Sequence, residues 1–113
     1  MTSRVVHIND HVEGAVYIGR AMPRQGLKAS PFANPYRIGG AVSRDYAMTL
    51  YEQHLTTTPH LWALIPELRG KPLACWCRHD GEAPSADTRC HGDVLVGLLA
   101  AFSDEQFRER AMP

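Results

Sequence analysis

Apolar positions change period several times along the chain, and each change marks an element. Valine, isoleucine and tyrosine at residues 5–8 and again at 15–18 suit the pleated, half-buried surface of strands, with residues 9–14 as the turn between them. From residue 19 to 42 the periodicity disappears. The stretch IGRAMPRQGLKASPFANPYRIGG is punctuated by glycine and proline, and a loop of this length in a small domain is usually functional. Phe32, Tyr36 and Ile38 are expected to pin it to the body. Ser43 then caps a helix to Leu55, where Ala47, Leu50, Tyr51, His54 and Leu55 recur at helical spacing and define a buried face.

After a break at residues 56–59, Leu61, Leu64, Ile65 and Leu68 form a second stripe. Pro66 removes a donor from it and predicts a short or kinked helix, which Gly70 and Pro72 end. Residues 72–77 read as a buried strand, and the polar stretch RHDGEAPSADTR follows as a loop. Helical spacing returns over residues 91–102 through Val94, Leu95, Leu98 and Phe102, and a charged helix closes the chain over residues 103–113. The order β-β-loop-α-α-β-α-α predicts a single α/β domain over residues 1–113, with helices packed on a small, partly parallel sheet.

Composition narrows the class. In 113 residues, 44% hydrophobic content is enough for a modest core and too much for a disordered chain. Twelve basic residues balance twelve acidic ones, so no global field draws the chain to nucleic acid or an anionic membrane, although a local basic patch stays open. No apolar run reaches the roughly 18 residues of a membrane span, and residues 1–14 carry no apolar signal core. Three cysteines is an odd number for a disulfide-stapled fold, so a reducing cytoplasm is expected.

The cysteines carry the candidate chemistry. Cys75 and Cys77 sit two apart on a strand and so point the same way, with Trp76 opposite; Cys90 and His91 open the helix that follows. Three thiolates and an imidazole are a donor set for tetrahedral zinc, the expected cofactor. Neighbouring side chains on a helix diverge by about 100°, which leaves open which of Cys90 and His91 ligates. His79 is a reserve ligand. Two other readings stay open: structural core cysteines, or a redox pair of Cys77 and Cys90.

Around this centre, Asp93 is the candidate catalytic acid, with helix-start stabilisation as its alternative role. Gly92 permits close backbone approach to a ligand. In the long loop, Arg20 and Arg24 are candidate anion binders, beside Asn34 and Tyr36; Lys28 and Arg37 add charge, and the rings of Phe32 and Tyr36 suit a base.

Several separated runs, VYIGR, SPFANPYRIG, SRDYAMTLYEQHL, ELRGKPLACWC and CHGDVLVGLL, resemble domain of unknown function 4326, a family of small bacterial and phage proteins. The resemblance covers residues 16–99. It marks Ala33-Asn34-Pro35-Tyr36, Cys75-Trp76-Cys77 and Cys90-His91-Gly92-Asp93 as family elements, with Ala33 where glycine is usual and a longer insert between the cysteine elements.

The expected function is binding, and hydrolysis, of a small nucleotide-like or other anionic ligand at a zinc-holding Cys/His site. A non-catalytic zinc-stabilised module for protein or nucleic acid, and a thiol redox protein, are the alternatives.

Overall fold

The computed structural model describes residues 3–36, 42–77, 79, 81–82 and 90–111. Three strands, β1 (Arg4–His7), β2 (Val16–Tyr17) and β3 (Pro72–Cys75), form one sheet in the order β1-β3-β2, and both neighbours pair with β3 in parallel. The sheet is therefore parallel throughout, rather than in part. β3 takes the centre because Leu73, Ala74 and Cys75 are all buried, as a strand covered on both faces must be. The segment expected as the turn between β1 and β2 closes no hairpin, since β3 lies between the two. It holds instead a single 3-10 turn at Ile8–Asp10, capped by the His7 ring, whose Nδ1 accepts from the Asn9 amide.

Helix α1 (Arg44–Thr56) starts at Ser43, whose hydroxyl accepts from the Tyr46 amide. Its buried face is Ala47, Met48, Tyr51 and Leu55, while Leu50 and His54 are half-buried. Helix α2 (Pro59–Leu64) runs straight into a 3-10 turn at Ile65–Leu68. That tightening is how the chain accommodates Pro66, which lacks the amide a continued α-helix would use. Helix α3 (His91–Ala101) begins at Cys90, lies against β1 and β3, and also meets α1. Arg69 secures its far end, donating to the carbonyls of Leu99 and Phe102 and pairing with Asp104 at 2.6 Å. Helix α4 (Asp104–Ala111) folds back on α2, where Phe107 packs with Trp62 and Phe102.

In a parallel sheet the carboxyl ends of the strands point to one edge, and ligands collect there. The ends of β2 and β3 meet the starts of α1 and α3 at that edge. No helix among the described residues is long and apolar enough to cross a membrane.

Candidate functional site

The sulfurs of Cys75, Cys77 and Cys90 all lie within 4.8 Å of one another, and those of Cys75 and Cys90 are 3.4 Å apart. Three sulfurs around a tetrahedral zinc at about 2.3 Å stand about 3.8 Å apart, so this trio can hold a metal ion with little movement. The sequence places it simply. Cys75 ends the central strand, Cys77 lies just past that end, and Cys90 is the residue on which α3 starts. Cys75 and Cys90 are buried and Cys77 is half-buried; none forms a disulfide.

The trio shares protons. Contact with Cys77, with burial adding, pushes the Cys75 thiol up to about 11. Cys90 is likewise raised by its contacts with Cys75 and Cys77 and by burial. Cys77 moves the other way: hydrogen bonds from Cys75 and then Cys90 hold it well below the ordinary thiol range, with His91 and the Arg44 guanidinium nearby adding to the effect. Without metal, Cys77 is the thiol of the three that gives up its proton most readily, its charge favoured by the neighbouring S–H groups.

His91 stands outside the three-sulfur group. Its Nε2 lies 2.7 Å from the Ile18 carbonyl and its ring meets Tyr51 edge-on. Burial lowers its pKa, so the ring is neutral. A carbonyl only accepts, so Nε2 carries the proton and Nδ1 keeps its lone pair. His79, the reserve ligand, is further removed: it is exposed, pairs with Asp10 at 2.6 Å and stacks on His7.

A cavity of about 310 Å³ opens over the sulfurs. Arg20, Asn34 and Tyr36, all expected as ligand-binding residues, line it together with His91 and the three cysteines. The Arg20 guanidinium donates through Nε and Nη2 to the Asn34 carbonyl, while Asn34 Oδ1 accepts from the Tyr36 amide. The loop thus fixes its own polar groups before any ligand arrives.

Three expected positions lie elsewhere. Arg24 is exposed in a 3-10 turn at Pro23–Gln25, away from the cavity. Asp93 does not line it; one carboxylate oxygen accepts from the Cys90 amide at 2.9 Å, which fixes the start of α3 and so the Cys90 thiol. Gly92 is buried against the sheet, where an added Cβ would lie 2.8 Å from Val5 and 3.1 Å from Ile18; its role is close packing of helix on strand. Phe32, expected beneath a base, is in the core, and its carbonyl accepts from the Tyr51 hydroxyl. Lys28 is exposed on a different groove. Arg37, Ile38, Gly39, Gly40 and most of the insert between the cysteine elements lie outside the described residues.

The cavity also holds residues that sequence reasoning did not assign to it, chiefly Arg44, Met48, Tyr17, Gly19 and Trp76. For Trp76 strand alternation pointed the other way, to the face opposite the thiols; β3 ends at Cys75, so alternation no longer governs Trp76, and it lines the same cavity as the sulfurs. For Arg44 no signal existed: as the first residue of α1 it reaches the site only through the crossover that lays α1 beside α3.

Comparison with known proteins agrees on family. Residues 4–101 match the profile of Domain of unknown function (DUF4326). An uncharacterised protein of Acanthamoeba polyphaga mimivirus is 33% identical over 102 residues, covering 88% of this chain and 78% of that protein. No solved structure matches the chain. The match spans all three strands, the long loop and both cysteine elements, and the chain belongs to the DUF4326 family.

Proposed function

We propose that Cys75, Cys77 and Cys90 hold a zinc ion, and that the cavity above it binds and hydrolyses a small anionic, nucleotide-like ligand. The observation carrying this reading is the meeting of three thiols at one cavity that two arginines also line. Soft thiolates favour zinc over hard cations such as magnesium. Three protein donors with a fourth position left over is the pattern of sites that admit substrate, whereas structural sites are filled by four. His91 lines the cavity and keeps Nδ1 as an acceptor; we place it beside that position, where it would orient a bound water, because filling the position would close the site. With that position open, bound zinc would supply Lewis acidity and a water of lowered pKa.

The chain's own residues do the rest. Arg20 and Arg44 offset the charge of an anion beside the thiolates, and Asn34 keeps Arg20 oriented. Asp93 serves by holding Cys90 in place, without touching the ligand. A second reading rests on the 3.4 Å approach of Cys75 and Cys90: a thiol redox pair, moved from the expected Cys77–Cys90.

The metal content and free-thiol count of protein purified from cells anaerobically, without added reductant, decide between them. About one zinc per chain is expected, falling at least about tenfold in occupancy in Cys75→Ser, Cys77→Ser and Cys90→Ser. Zinc-free protein carrying a reducible Cys75–Cys90 disulfide would overturn the metal reading and leave the redox one.

A further inference from the structure

Part of the cavity lining is aromatic and braced by hydrogen bonds. Trp76 is 38% exposed, yet its position is fixed: Nε1 donates to the Tyr17 hydroxyl at 3.1 Å, and that hydroxyl donates to the Arg20 carbonyl at 2.6 Å. The His7 ring meets the indole edge-on at 5.7 Å. Tyr17 can fold across in this way only because residue 19 is glycine; a Cβ there would fall 2.5 Å from the Tyr17 hydroxyl oxygen. A large apolar ring is thus held part-exposed at the mouth of a cavity, where packing alone would bury it. Such a ring is a stacking platform for another planar group.

The opposite requirement, for charge, is met by Arg20 and Arg44 in the same cavity. At about 310 Å³ the space is at the small end of the roughly 300–1,000 Å³ that ligand sites span, which suits one nucleotide and not two. Resting on the small-anion reading above, we propose that the ligand is a nucleoside monophosphate, its base stacked on Trp76 and its phosphate held by Arg20 and Arg44. Tyr17 is a positioning residue, acting through Trp76 and the Arg20 backbone.

Calorimetric titration of the full chain with adenosine monophosphate and, separately, with inorganic phosphate tests this. The nucleotide is expected to bind at least about tenfold more tightly than phosphate, the margin that one stacked base supplies. Trp76→Ala is expected to remove that margin while leaving phosphate affinity unchanged, and Trp76→Phe to restore part of it. Tyr17→Phe, which loosens both Trp76 and the Arg20 backbone, narrows the margin and weakens phosphate binding slightly, and Arg44→Gln weakens both probes. Equal affinity for the two probes, or a Trp76→Ala protein that keeps its preference, overturns the inference and leaves the small-anion reading standing. If neither probe binds a chain that carries its zinc, both fail and only the metal centre survives.

Discussion

At the scale of single residues, the two glycines of α3 carry different duties. Gly92 sits in the polar first turn between His91 and Asp93, and Gly97 in the apolar run that follows. Gly92 faces the sheet, with Val5, Ile18 and the Cys90 sulfur all inside 3.4 Å of where a Cβ would be; Gly97 has open space around it. Gly92→Ala is therefore expected to cost about 1–3 kcal/mol through overpacking and to lift Cys90 from its partners. Gly97→Ala is expected to stabilise the chain by about 0.5–1 kcal/mol, because a mid-helix glycine loses more entropy on folding than alanine. Urea midpoints of the two variants check the opposite signs. The cysteines were legible because sulfur chemistry restricts what a trio can do. The place of Gly92 was not, since it depends on which strand side chains stand across from it.

Among elements, the link between α1 and the long loop bears most on how the site is held. The Tyr51 hydroxyl, buried in α1, donates to the Phe32 carbonyl at 2.7 Å and so ties down the segment that carries Asn34. Burial first, and the nearby Cys90 second, raise the Tyr51 pKa above its ordinary value of about 10. A raised pKa means the unfolded chain gives up its proton first. Stability from neutral Tyr51 is then intact below about pH 10 and is lost as the pH rises beyond it. Cys75, raised to about 11, adds to the same alkaline loss in metal-free protein. Tyr51→Phe is expected to cost about 1 kcal/mol near neutral pH and to flatten the decline between about pH 9 and pH 11. Denaturation midpoints across that range test it, and an unchanged slope would contradict it. Helix positions were readable from apolar spacing, as was the disturbance at Pro66. The pairing of β1 and β2 to a strand more than fifty residues later was not, because local pattern says which segments are strands and nothing of their neighbours.

For the whole molecule, topology turns a scatter of residues into a site. Parallel pairing puts the ends of β2 and β3 on one edge; the crossover after β2 brings the start of α1 to it, and α3 starts there after β3. Arg20, Arg44, Trp76 and the three thiols, spread over some seventy residues of chain, meet there. The three thiols and the loop residues Arg20, Asn34 and Tyr36 singled out in the sequence meet at this cavity, while Arg24, Gly92 and Asp93, near them in the chain, do not line it and serve packing, capping or solvent. The claim on which the rest depends is that these thiols share one metal. X-ray absorption at the zinc edge of the purified chain measures that directly. Three sulfur neighbours at about 2.3 Å with one nitrogen or oxygen at about 2.0 Å are expected; zinc surrounded only by nitrogen and oxygen would contradict it.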